Sequence, residues 1–121
     1  MEIINNKYYI GFEGEPEIQF VYKKDDVIES FIMWEGYFDQ IMRLIKPDKN
    51  GWKGVAYCYN MHIGWYEEDY WLIEDLLMTL KQFESIDKQM LNKEASEVLK
   101  EICNIIKMAE DNKAEVFIIR E

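Results

Sequence analysis

Hydrophobic and polar positions change period several times along this chain, and each change marks an expected element. Tyr8, Ile10 and Phe12 alternate with Tyr9 and Gly11, and Ile18, Phe20 and Tyr22 alternate with Gln19 and Val21. Between them Glu13-Gly14-Glu15-Pro16 carries turn formers, so the pattern predicts a hairpin with a loop of four or five residues. Lys23-Lys24-Asp25-Asp26 makes a second polar turn, and Val27–Trp34 is expected to form a third strand. Phe38, Ile41, Met42 and Ile45 then fall at helical spacing, which predicts a helix from about Gly36 to Lys46, stopped by Pro47. Phe31 and Trp34 extend the same stripe backward, so a helix beginning near Ser30 also fits. Gly36 in its middle weakens that version by about 1 kcal/mol relative to Ala.

Beyond the polar loop Asp48–Gly54, the residues Val55, Tyr57, Tyr59, Met61 and Ile63 alternate with Ala56, Cys58, Asn60 and His62. Period two over nine residues predicts a strand that Gly64 closes. Asp69 is then the expected N-cap of a helix whose apolar face is Ile73, Leu76, Leu77, Leu80 and Phe83. Ser85–Leu91 reads as a connection. Asn92 or Lys93 opens the most regular helix, with Ala95, Val98, Leu99, Ile102, Ile106 and Ala109 in period and Cys103 and Ile105 widening the stripe. Asp111-Asn112-Lys113 ends it, and Val116–Ile119 makes a short strand that is apolar on both faces, expected to lie in the interior or under a helix. The order strands, helix, strand, helix, helix, strand predicts one α+β domain over residues 1–121. Its sheet is expected to be mainly antiparallel, with about three helices packed against it.

Composition narrows the possible functions. Apolar residues at 49% and aromatics at 15% give a chain of 121 residues enough material for a real core. A net charge of −10 opposes direct binding to nucleic acid, which needs Lys and Arg to displace counterions, and equally opposes an anionic membrane surface. The first ten residues contain no apolar run of secretory length, and no stretch approaches the roughly 20 apolar residues of a membrane span. Cys58 and Cys103 read as reduced core residues. A cytoplasmic location is expected.

The charge is unevenly placed. Between Lys53 and Lys81 there is no Lys or Arg, while Glu67, Glu68, Asp69, Glu74 and Asp75 all fall there among Tyr57, Tyr59, Trp65, Tyr66, Tyr70 and Trp71. Carboxylates crowded among large aromatics suit a basic protein partner, because aromatics supply contact area at low entropic cost and charge supplies steering. A strand-to-helix junction with inward Trp rings and helix-capping acids explains the same residues structurally, and the two readings are compatible.

Catalytic motifs are sparse. His62 is the only histidine, and in the strand reading Cys58 stands about 13 Å from it, beyond the reach of a nucleophile–base pair. Cys and His do not cluster at zinc spacing. Glu67-Glu68-Asp69 offers hard oxygen ligands, but consecutive residues do not converge on one ion. The glycine pairs Gly11/Gly14 and Gly51/Gly54 match no phosphate-binding pattern. No catalytic residue, metal site or cofactor is expected.

The segment Gly64–Ile86, GWYEEDYWLIEDLLMTLKQFESI, resembles one found in small bacterial immunity proteins of contact-dependent inhibition and polymorphic toxin systems. Such proteins are acidic, α+β, cytoplasmic and near this size. The resemblance implies a chain that binds and neutralises a cognate toxin domain, with a basic nuclease the kind of toxin these acids suit. The expected contacts are Trp65, Tyr66, Glu67, Glu68, Asp69, Trp71, Glu74 and Asp75, with Glu13, Glu15 and Glu17 as a second acidic patch. Two other functions stay open. A small carboxylate-based or metal-dependent enzyme would show several Asp and Glu converging in a concave pocket. A stand-alone ligand-binding module would show a deep apolar cavity.

Overall fold

The computed structural model describes residues 1–121 and builds its sheet outward from one hairpin. Strands β2 (Glu17–Lys24) and β3 (Val27–Trp34) pair antiparallel from Glu17↔Trp34 to Lys24↔Val27. Asp25, in the turn, takes a φ of 54°, a left-handed conformation that Asp tolerates better than most residues. Strand β5 (Glu115–Arg120) adds antiparallel to the other side of β2. Strand β1 (Glu2–Tyr8) runs parallel along β3, and the two-residue β4 (Trp71–Leu72) pairs antiparallel with β5. The order is β1-β3-β2-β5-β4.

Four helices follow in chain order: α1 (Glu35–Met42), α2 (Gly54–Met61), α3 (Leu76–Glu84) and α4 (Lys93–Asn112). Short 3-10 turns occupy Gly64–Tyr66 and Lys88–Met90. None of the helices is long and apolar enough to cross a membrane. The α+β class and the mostly antiparallel sheet are as the sequence predicts.

One face of the sheet carries the core. Ile18, Phe20, Tyr22, Phe31, Met33, Val116 and Ile118 are buried there against Phe38 and Ile41 of α1, Phe83 of α3, and Val98, Leu99, Ile102 and Ile106 of α4. Fully burying each such side chain contributes about 1.5–3 kcal/mol. Asn92 starts α4 by accepting a hydrogen bond from the Ala95 N–H at 2.8 Å, so the expected boundary is the observed one.

Four elements differ from expectation. Tyr8–Phe12 does not pair with β2; consecutive turns at Asn6, Tyr9 and Phe12 carry the chain across the end of β3, where Phe12 stacks on Trp34 at 4.3 Å. The strand that precedes them sits beside β3 instead. Helix α1 begins at Glu35, next to the expected Gly36, but ends at Met42, four residues short of the expected Lys46, and the Trp34 ring folds onto Gly36 in its first turn. A Cβ at Gly36 would stand 2.3 Å from that ring, so glycine is required by packing. Residues 55–61 form α2 rather than a strand. Val55, Ala56 and Cys58 turn inward while Tyr57 and Met61 are exposed. A helix satisfies its own backbone, whereas a strand there would need a partner edge. Finally, α3 is capped by Asp75, whose side chain accepts the Met78 N–H at 3.0 Å, and not by Asp69.

Strand β5 also departs from the expectation of full cover. Val116 and Ile118 are buried, but Phe117 and Ile119 on its other side remain partly exposed. All four helices leave that side of the sheet open.

Candidate functional site

The acidic segment is a strap strung between two anchored tryptophans. Trp65 is 2% exposed and packs edge-to-face on Phe38 and Trp71, with centroids 5.8 and 5.4 Å away. Gly64, at a φ of 66°, lets the 3-10 turn start tightly against the Cys58 side chain. The chain then leaves the core through Glu67, Glu68, Asp69 and Tyr70 and returns at Trp71, which pairs with Ile118. Trp65 thus belongs to the core, not to a contact surface, and Trp71 is partly covered against it. Both rings serve to hold the strap's ends.

The strap itself faces solvent. Glu67, Glu68, Asp69, Glu74 and Asp75 are exposed, and none takes part in an ion pair. The two ion pairs in the molecule are Lys53–Asp48 at 2.8 Å and Arg120–Glu35. The second acidic patch is more dispersed. Glu17 accepts a hydrogen bond from Gln19, while Glu13 accepts from the Gly11 N–H in the loop across the end of β3. Exposed Glu15 shares that loop, just before β2 and two strands away from β4 in the sheet order.

Tyr70 links the strap to the open side of the sheet. It is 62% exposed and meets Phe117 edge-to-face at 5.4 Å. With Val21, Lys23 and Ile119 these rings line a shallow groove of about 260 Å³. Strand register places Ile4, Ile28, Ile32, Val21, Phe117, Ile119 and Leu72 on this same side, with Ser30, Gln19 and Lys23 among them and Glu2, Glu17 and Glu115 toward its margins. A solvated antiparallel sheet normally alternates apolar-in with polar-out. Here the second side is richer in apolar residues than that rule requires, and exposed apolar patches mark interaction surfaces.

A second constellation was not legible in the sequence. Glu35, Asp39, Arg43, Tyr59, Asn60, His62, Tyr66 and Arg120 line a half-open cleft of about 520 Å³. The Arg120 guanidinium donates to both Glu35 oxygens, at 2.5 and 3.2 Å, and lies 5.5 Å from the centroid of the Tyr66 ring. His62 stacks on Tyr66 at 4.8 Å. The Tyr59 hydroxyl donates to Asp39 Oδ1 at 3.0 Å. Burial pushes the Asp39 carboxyl above its ordinary range, and the Tyr59 hydrogen bond works against that rise. Burial, reinforced by Asp39, pushes the Tyr59 phenol up to about 12. Four separate segments meet here, and only the tertiary fold brings them together.

Cys58 and Cys103 are free thiols, both pushed up in pKa chiefly by burial, which makes them poor nucleophiles. No three His, Cys, Asp or Glu side chains come together as a metal-holding group. No family model matches the chain, and neither a curated protein nor a solved structure matches it.

Proposed function

We propose that this chain is a binding protein of the immunity type, neutralising a cognate bacterial toxin domain by docking it on the acidic strap and the open sheet face. One observation carries the reading. Glu67, Glu68 and Asp69, free of any cation of their own chain, rim an uncovered apolar sheet face at Tyr70. Apolar area with an aromatic anchor supplies affinity, and the three strap acids, which outweigh the single Lys23 beside the groove, select a basic partner and speed its approach. Toward a nuclease, the rim carboxylates would stand where substrate phosphates bind. The resemblance of residues 64–86 to immunity proteins supports the same class, and cytoplasmic residence accompanies it.

The test is co-expression with the C-terminal domain of a toxin from a gene neighbouring the one for this chain. The wild type should protect the cell and co-purify with that domain. Glu67→Lys/Glu68→Lys/Asp69→Lys should lose both properties, with its melting temperature within a few degrees of wild type because these side chains have no folded-state partner to lose. Phe117→Lys should weaken binding through the other half of the surface. Undiminished association of the triple variant would overturn the reading.

A further inference from the structure

Both arginines of the chain, Arg43 and Arg120, and its only histidine, His62, line the same cleft in a protein that is otherwise strongly acidic. They reach it from the end of α1, the end of β5 and the residue after α2. The other basic side chains of the chain are lysines, and none lines it. The groups around them divide into those already engaged and those left free. Glu35 and Arg120 satisfy each other two-pronged, which removes the charge of both, and Tyr66 backs that pair with its ring. Asp39 Oδ1 is taken by Tyr59. The Arg43 guanidinium makes no ion pair and no side-chain hydrogen bond, the His62 ring donates to nothing in the protein, and Asp39 Oδ2 accepts from nothing. The cleft thus presents one unspent guanidinium, one imidazole and, among them, one unspent carboxylate oxygen.

This set has a chemical complement. A guanidinium and an imidazole recognise an oxyanion through charge-assisted hydrogen bonds. A lone carboxylate oxygen nearby would repel a fully aprotic anion but would accept from a hydroxyl that the ligand carries itself. We propose that the cleft binds a small oxyanion bearing its own hydroxyl donor, either hydrogen phosphate or a hydroxycarboxylate. Arg43 and His62 hold the anionic oxygens and Asp39 accepts from the hydroxyl. The Arg120–Glu35 pair and Tyr66 form the rigid wall. The site is separate from the docking surface, which uses the strap and the far side of the sheet, and it does not depend on the function proposed above.

A single histidine makes the test direct, because its ring protons give one set of NMR signals in the whole protein. At fixed pH and ionic strength, inorganic phosphate, malate, acetate and chloride are titrated in turn while the His62 ring-proton shifts are followed. A saturating shift with phosphate or with malate is expected, with acetate, which has no hydroxyl, and chloride giving only a small linear drift. Saturation by phosphate alone assigns the ligand to the phosphate class, and by malate alone to the hydroxycarboxylate class. Arg43→Gln should raise the half-saturating concentration about tenfold or more, the loss of one hydrogen bond to a charged group. Lys100→Gln, which removes the same charge from the exposed side of α4, should leave it unchanged. Arg43 has no side-chain partner to lose, so the variant is expected to fold as the wild type does, checked by its melting curve. Linear drift with every anion, or the same saturation in Arg43→Gln as in wild type, overturns the proposal.

Discussion

Phe20 and Phe117 sit on adjacent strands one residue out of step, so one points into the helices and the other away from them. Phe20 is completely buried and meets Phe38 and Phe83 edge-to-face, with centroids 5.9 and 6.1 Å away. Among aromatic rings Phe117 meets only Tyr70, itself largely in solvent. The same side chain is thus core on one side of the sheet and surface on the other, and the chain devotes aromatic and β-branched residues to both. Stability explains the first side. It explains the second only in part, since Phe117 and Ile119 are covered by neighbouring strands but keep part of their surface in water. Their apolar character is consistent with cover supplied from outside the chain.

The matched pair of deletions is the sharpest way to break this contrast. Phe20→Ala should destabilise by about 3–5 kcal/mol in urea unfolding, combining lost transfer energy with an unfilled cavity. Phe117→Ala should cost less, about 1–2 kcal/mol in the isolated chain, because its ring is only partly covered. Equal losses at the two positions would mean that the open side is as well packed as the closed one. Between these lies Gly36→Ala, expected to cost about 1–3 kcal/mol. Its new methyl displaces the Trp34 ring, which Phe12 and Tyr37 hold on its other sides. That variant tests whether the loop over the end of β3 is clamped by packing.

The smallest effect is alkaline. Tyr59 lies on the helix side, and its phenol is pushed from 10.0 up to about 12, by burial first and Asp39 second. A proton held more tightly in the folded state favours folding fully below pH 10, and that advantage is lost as pH rises from 10 to 12. Tyr59→Phe should therefore lose less stability than wild type across that window in parallel pH-dependent melts. Identical alkaline slopes would show that Tyr59 ionises as readily in the folded chain as in the unfolded one.

What the sequence disclosed follows the same division. Strands β2 and β3, the Asn92 cap and the long face of α4 were legible because each buries one regular stripe and carries a local punctuation signal. Strand β1 was not, because Glu2-Ile3-Ile4-Asn5-Asn6-Lys7 lies on an edge with little buried on either side and leaves no alternation to read. Residues 55–61 satisfy period two by composition, yet seven residues with apolar side chains at most positions fit a helix equally well, and packing decided. The strap was visible as a run of acids without nearby bases, but the inward turn of Trp65 was not. The cleft had no sequence signature at all, since Glu35 and Arg120 stand 85 positions apart.

The two-residue length of β4 has a consequence for how such a surface can change. Trp71, Leu72 and the Ile73 N–H tie the acidic segment to β5, and the indoles at its two ends lock against each other beneath it. Residues 67–69 are therefore a replaceable cassette. Their identities can be rewritten while the clasp that holds them, and the scaffold behind the clasp, stays as it is.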